Sequence, residues 1–383
     1  MKEKLIIKNF GPIESVKLEL RRVNILIGDQ GTGKSTVAKI LYVIKNACHL
    51  HSGELSLTID GKKQNESENK KFRNESFKAT FTDDLEKSGI KNYLNEKSYI
   101  YFENDRCKVI IEKLEIQFEE KGSDKEKNTN LNYFIPAFRE AYILLRNNYP
   151  AILNANANLP TFLNTFGQHF NNHRERLKYF NFQNIIGVDY KYANGNEYIV
   201  LKNGKEISFE ESSSAVNSVV PLLVVFLGIV ENMSQEGSIL YYNNNCPFVT
   251  IEEPELNCYP ETQKKLVELL IEKIKYKGAK KANEYYCSLL LTTHSPYILT
   301  SLNNLMYAYQ VGQTHKDEVE NIVKSKFWLN PIDVSAYLLL PNGKYKKIID
   351  SDGLIQAEQI DDVSRGLNSE FDLLQNIELG IKT

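Results

Sequence analysis

Gly28, Gly33, Lys34 and Ser35 stand at the spacing Gly-x-x-x-x-Gly-Lys-Ser within Val23-Asn24-Ile25-Leu26-Ile27-Gly28-Asp29-Gln30-Gly31-Thr32-Gly33-Lys34-Ser35-Thr36. Positions without side chains let backbone N–H groups wrap a phosphate, the lysine reaches β- and γ-phosphate oxygens, and the serine hydroxyl ligates Mg²⁺. Gly28, Asp29, Gln30, Gly31, Thr32, Gly33, Lys34, Ser35 and Thr36 are therefore the candidate nucleotide-binding residues, with ATP and Mg²⁺ as the expected cofactors. The apolar run Val23–Ile27 predicts a strand entering the loop. Val37, Ile40, Leu41 and Ile44 recur at i, i+3, i+4 and i+7, so a helix leaves it and points its positive N-terminus at the anion.

Hydrolysis of a γ-phosphate needs a metal anchor, a carboxylate that positions the attacking water, and donors that offset the transferring charge. Pro247-Phe248-Val249-Thr250-Ile251 reads as a buried strand that ends in Glu252 and Glu253, and Ser288–Thr293 as another that ends in His294. Ligands in open α/β sheets bind just beyond such carboxyl ends. Glu252 is expected as a metal ligand with Ser35, Glu253 as the residue that positions water, and His294 as a partner of the γ-phosphate or the water; Lys34 completes the catalytic set. Ser212-Ser213-Ser214 opens an apolar helix, which makes Ser213 and Ser214 candidate phosphate contacts as well as ordinary cap residues. Arg139, after Ile135-Pro136-Ala137-Phe138, reads equally well as a site residue or as a salt-bridged surface residue.

Further elements surround these residues. Leu5–Phe10 and Val16–Leu20 predict a small sheet ahead of the loop, continued by Tyr99–Phe102 and Val109–Phe118, while Leu55–Ile59 reads as a short strand and Lys62–Asn74 and Glu119–Asn130 as polar loops. Residues 140–182 read as helical without a sustained heptad, so no coiled-coil arm is expected. Strands and a Lys202-Asn203-Gly204 hairpin turn follow between residues 185 and 210. A helix from about Glu261 carries Leu266, Val267, Leu270 and Ile274 on one face; Leu305–Tyr309 and Tyr337–Tyr345 read as strands, and Ala357–Ile377 as an acidic amphipathic helix. The fold class is α/β, with a phosphate-loop core sheet, an antiparallel β subdomain and a short helical insertion. The expected segments are 1–135, an N-terminal lobe with the loop; 136–211, a helical/β insertion; 212–310, a second lobe with Glu252, Glu253 and His294; and 311–383, a C-terminal extension that could offer a partner surface.

Composition narrows the classes. The charged fraction of 25%, hydrophobic fraction of 42% and net charge of −2 are ordinary for a globular chain and give no global electrostatic case for coating nucleic acid. The five cysteines are scattered without Cys-x-x-Cys spacing, which disfavours disulfides or zinc. Val219–Val230 is an apolar run of 12 residues that includes Pro221, short for a membrane span, and no leader-like apolar segment follows Met1. A cytoplasmic protein without a membrane partner is expected.

Together these blocks resemble the ABC-type ATPase superfamily, in the branch of SMC-like, RecF-like and OLD-family ATPases. The resemblance runs through Asn9-Phe10-Gly11, Gly28–Thr36, Ile135–Arg139, Ser213–Leu222, Ile251-Glu252-Glu253-Pro254-Glu255-Leu256-Asn257 with Pro260-Glu261-Thr262-Gln263, and Thr292-Thr293-His294-Ser295-Pro296, spanning roughly residues 1 to 310. Within that branch it looks most like AAA ATPases of bacterial antiphage systems, such as the ATPase halves of OLD-type nucleases and the Septu and PARIS ATPases. The resemblance implies a homodimer or higher homo-oligomer with composite ATP sites, each pairing one subunit's loop with Ser213 and Ser214 of the other. It also implies a sensor or scaffold that controls a separately encoded effector, a nuclease or toxin, in response to a phage-derived trigger. Ala215 and Val216 stand where the family signature has glycine, which implies a weaker trans contact or slower hydrolysis. The chain's length leaves no room for an appended nuclease domain, so no nuclease activity is expected of it alone. The competing expectation is a RecF- or SMC-like ATPase of DNA repair or chromosome maintenance that contacts duplex DNA. A transporter subunit is disfavoured by the Glu-Glu-Pro-Glu block and the C-terminal extension.

Overall fold

The computed structural model describes residues 3–51, 58–59, 62–63, 66–121, 131–145, 161–234, 246–275 and 287–356. Strands β1 (Glu3–Phe10), β2 (Ile13–Leu20) and β3 (Val23–Ile27) run directly into helix α1 (Lys34–His51). A two-residue pair, β4 (Thr58–Ile59) and β5 (Lys62–Lys63), precedes α2 (Glu66–Lys87), and then come β6 (Tyr99–Glu103), β7 (Cys107–Glu112), β8 (Glu115–Glu120) and β9 (Asn132–Ile135). The middle of the chain holds α3 (Arg139–Leu145), α4 (Thr161–Leu177), β10 (Tyr179–Asn181), α5 (Gln183–Ile186), β11 (Val188–Ala193), β12 (Asn196–Leu201) and β13 (Glu206–Ser208). The last part holds α6 (Ser214–Ser234), β14 (Phe248–Glu252), α7 (Pro260–Ile274), β15 (Ser288–Thr293), α8 (Pro296–Val311), α9 (Lys316–Ile322), β16 (Val334–Leu339) and β17 (Tyr345–Lys347).

Six strands form the sheet that carries the loop, in the order β17-β16-β3-β15-β14-β9. Every pairing in it is parallel except β16 with β17. β3, β14 and β15 are buried along their whole length, as the near-continuous apolar runs of a doubly covered parallel sheet require. The order sets β3 beside β15, and β15 beside β14, so Ile27, Thr293 and Glu252 end neighbouring strands at one edge. This sheet takes strands from the first, third and fourth of the expected segments.

Two antiparallel sheets flank it, β2-β1-β6-β7-β8 and β10-β11-β12-β13. The first closes a core with α1 and α2, through Leu5, Ile7, Val37, Leu41, Phe77 and Phe81. The second packs with α4 and α6 around Phe166, Phe170, Tyr190, Phe209 and Phe226, beneath the parallel sheet. Helix α6 is apolar and long enough to cross a membrane by length and composition, yet most of its apolar stretch is buried inside the molecule. Val219, Val220, Leu222, Leu223, Val224 and Phe226 are fully enclosed, which marks it as the central core helix.

Four readings of the sequence are corrected. Lys62–Asn74 is not loop throughout: α2 starts at Glu66, because Phe77, Phe81 and Leu85, downstream of the polar stretch, anchor a long helix. Val109–Phe118 is a hairpin, broken at Lys113 and Leu114, both in left-handed conformation. Leu305–Tyr309 lies inside helix α8, where Leu302, Leu305 and Met306 form a helical buried stripe that a five-residue window mistakes for a strand. The 140–182 segment ends in strand β10 rather than in helix, and its residues 146–160 lie outside those described. Most of Leu55–Ile59 and all of Ala357–Ile377 also lie outside the described residues.

Candidate active site

The loop is shaped by contacts that few residue types permit. Gly28 has φ +151°, and a Cβ there would lie 2.3 Å from the carbonyl oxygen of Leu339. Only glycine fits, and strand β16 thereby becomes a wall of the loop. Gly33, at φ +94°, would drive a Cβ to 2.4 Å from Ile13 Cδ1. The amide of Val37 donates to Gly33 O at 2.9 Å and starts the helix, while Thr32 Oγ1 donates to Asp29 O at 2.8 Å. Lys34 Nζ donates to Gly28 O and Asp29 O, each at 2.7 Å, and so ties the two ends of the loop together. Burial lowers the Lys34 pKa to about 8, against the opposing pull of Glu253, Asp29 and Glu255.

A cleft of about 620 Å³ opens over this loop. Gln30, Gly31, Gly33, Lys34, Ser35 and Thr36 line it with Glu253 and His294, and Pro12 and Tyr93 complete it. Gly28, Asp29 and Thr32 belong to the loop but do not line the cleft. Tyr93 is absent from the sequence-derived set. It follows α2, its ring is 37% exposed, and it stands edge-on to Phe10 at 5.8 Å. No motif signals it, because its place depends on a contact with the β1–β2 turn.

Glu252 lies behind Ser35, 2% exposed. Its Oε2 accepts the amide of Ala137 at 3.2 Å, and the Ser35 hydroxyl lies within hydrogen-bonding reach. Burial raises its pKa, opposed by Ser35, Lys39 and the Ala137 amide. Its Oε1 is buried with no hydrogen-bond partner among the described residues. An orphaned carboxylate oxygen beside a serine hydroxyl fits a hard cation, whose remaining ligands would be water and phosphate. No group of three His, Cys, Asp or Glu able to hold a metal occurs among the described residues.

Glu253 follows with φ +44°, a conformation uncommon for a residue with a side chain. Its amide donates to Thr292 O at 2.9 Å, and its Oε1 stands 3.4 Å from His294 Nε2. Glu255, a second residue missing from the sequence-derived set, accepts Thr293 Oγ1 at 2.7 Å and the His294 amide at 2.8 Å through one oxygen. It locks the end of β15 to the turn after β14. The third carboxylate of Glu252-Glu253-Pro254-Glu255 was its available signal.

Arg139 is fully buried rather than a surface salt-bridging residue. Its Nη1 donates to Pro136 O and Glu252 O, its Nη2 to Ser218 Oγ and Glu253 O, each at 3.0 Å, and its Nε to Ser218 O at 2.8 Å. Burial lowers its pKa to about 10, so it stays charged at neutral pH.

Ser213 and Ser214 lie apart from this group. They are exposed at the start of α6 and do not line the cleft, and Ser213 Oγ accepts the Val216 amide at 3.5 Å as an ordinary cap. Within one chain the fold thus gathers the loop, Glu252, Glu253 and His294, and leaves the two serines facing outward.

Residues 1–148 match the family model described as AAA ATPase domain. No curated protein matches the chain. Among solved structures, the SMC head domain from Thermotoga maritima is similar at 11% identity and a TM-score of 0.40, covering 91% of this chain and 98% of that one. The SMC head domain with an extended coiled coil, bound to the C-terminal domain of ScpA derived from Pyrococcus furiosus, gives 11% and 0.40, covering 98% and 99%. The recombination mediator RecF gives 10% and 0.39, covering 91% and 98%. Likenesses this remote leave the function to be read from the cleft.

Proposed function

We propose that this chain binds Mg²⁺·ATP and hydrolyses it, and that hydrolysis works a switch between assembly states. The observation that carries the reading is the meeting of Lys34, Ser35, Glu253 and His294 in one cleft, with the unsatisfied oxygen of Glu252 behind Ser35. Lys34 and the loop amides hold the phosphates. Ser35 and Glu252 hold the cation, which supplies charge neutralisation. Glu253 orients the attacking water, and His294 steadies it or the γ-phosphate.

The outward placement of Ser213 and Ser214 supports the rest: a second copy of the chain would bring them to the open cleft, in a homodimer with two composite sites. In this reading the switch is the sensor or scaffold subunit of an antiphage defence system, whose nuclease or toxin effector is encoded separately. The test is ATP turnover by the purified chain, with Lys34→Ala as control, and co-purification with the neighbouring gene's product with and without ATP. Mg²⁺-dependent turnover lost in the variant, with nucleotide-dependent capture of an effector, supports the reading. Turnover unchanged by Lys34→Ala removes it.

A second reading is an ATPase that handles duplex DNA, as in repair or chromosome maintenance. The observation in its favour is the sheet β2-β1-β6-β7-β8, where Lys4 and Lys108 reach over the Tyr101 ring and Lys8 over Tyr99. Glu103 and Glu112 pair with this face and oppose a polyanion. Nanomolar duplex binding at physiological salt would favour this reading over the first.

A further inference from the structure

The Arg139 guanidinium joins two parts of the molecule that the cleft chemistry treats separately. On one side it holds Ser218 of α6 by both the backbone carbonyl and the hydroxyl; on the other it holds the carbonyls of Glu252 and Glu253. Ser218 is one helical turn beyond Ser214, so a shift of the α6 N-terminus is felt directly at the fork. The backbone of Glu253 sits in the left-handed region, at φ +44°, and its carbonyl is one of the fork's acceptors. Such a conformation persists only where its surroundings enforce it. A planar guanidinium with fixed donor directions is suited to this, because its two sides cannot move independently.

We propose that Arg139 is a positioning residue that couples the serine-bearing end of α6 to the aim of the Glu253 carboxylate. Arg139 is fully buried and does not line the cleft. When the serines of α6 engage a phosphate across the dimer, α6 becomes fixed, and the fork transmits that fixity to the peptide between Glu252 and Glu253. Each subunit then hydrolyses its own ATP in step with contact to its partner's. The proposal rests on the ATPase reading and adds to it a communication path within the subunit.

The decisive variant is Ser218→Ala, which removes one acceptor from the fork, keeps the backbone acceptor and leaves the loop intact. The melting temperature and the affinity for ATP should stay close to wild type, while kcat falls about tenfold and KM is unchanged. Arg139→Lys, which keeps the charge but loses the fork, should show the same split more strongly. In Ser218→Ala a peptide covering residues 250–256 should exchange its amides faster in the ATP-bound state. Wild-type kcat in Ser218→Ala, or equal losses of kcat and ATP affinity in a folded Arg139→Lys, would show that the arginine is only structural. Those failures leave turnover by the wild type intact, whereas a wild type without turnover removes the ATPase reading and this proposal with it.

Discussion

Glu253 Oε1 stands 3.4 Å from Nε2 of His294, whose other ring nitrogen, Nδ1, is 3.4 Å from Lys34 Nζ. A lysine ammonium can only donate, so it makes Nδ1 the acceptor and leaves the Nε2 proton directed at Glu253. The histidine thus bridges Lys34 and Glu253, which in the proposed reading hold the phosphates and orient the water. His294→Ala should therefore lower kcat about 10²-fold, within the range for loss of a positioned proton donor, and barely change ATP affinity. Steady-state kinetics with equilibrium ATP binding checks the split; a loss confined to affinity would assign His294 to ground-state binding.

The exposed serines are tested by assembly. Adding ATP to Glu253→Gln protein should raise its mass to a dimer or more, and Ser214→Arg in the same background should block the rise. Light scattering reads both. A demonstrably monomeric protein whose mass does not change with ATP would count against composite sites.

Tyr93 offers a test at the other end of the cleft. In the proposed reading Lys34 and Ser35 serve the β- and γ-phosphates, and Pro12 and Tyr93 complete the lining of the cleft, so the nucleoside should extend toward them. Stacking of a base on an aromatic ring is worth about 1–3 kcal/mol, and a part-exposed ring belongs at the low end. Tyr93→Ala should weaken ATP about fivefold and leave tripolyphosphate binding unchanged. Equal weakening of both ligands would mean that the ring supports only the loop.

His173, buried in α4, gives a prediction about acid stability. Burial, reinforced by His169 and Arg176, lowers its pKa from 6.5 to about 4. Between those values the unfolded chain takes up a proton that the folded chain does not, so stability is complete above pH 6.5 and declines as pH falls toward 4. The loss from this group is about 3 kcal/mol at the acid end. Chemical denaturation at a series of pH values should show that slope, and His173→Phe should flatten it; an unchanged slope would place the acid sensitivity elsewhere.

The parts of the site that depend on short-range chemistry were legible in the sequence. Gly28 to Thr36, the carboxylates at the end of β14 and His294 after β15 all stand at the ends of strands whose apolar runs mark them, and parallel pairing then brings them together. Long-range contacts were not legible. The burial of Arg139 depends on a helix that begins 75 positions later in the chain at Ser214, and Tyr93 reaches the cleft only through the β1–β2 turn. Leu339 closes against Gly28 from near the far end of the described chain, where Tyr337–Tyr345 reads as one strand but folds as the hairpin of β16 and β17, and where nothing local signals the pairing of β16 with β3. Periodicity failed where a buried stripe was sampled too briefly, as at Leu305–Tyr309 within α8.

The account stands most directly on Glu253→Gln. Removing one carboxylate oxygen's charge at constant shape should leave ATP affinity within a few-fold of wild type and lower turnover by about 10²-fold or more. Equilibrium binding and single-turnover hydrolysis on the same preparation measure both quantities. Undiminished turnover in the folded variant would contradict the assignment of Glu253 as the residue that orients the attacking water.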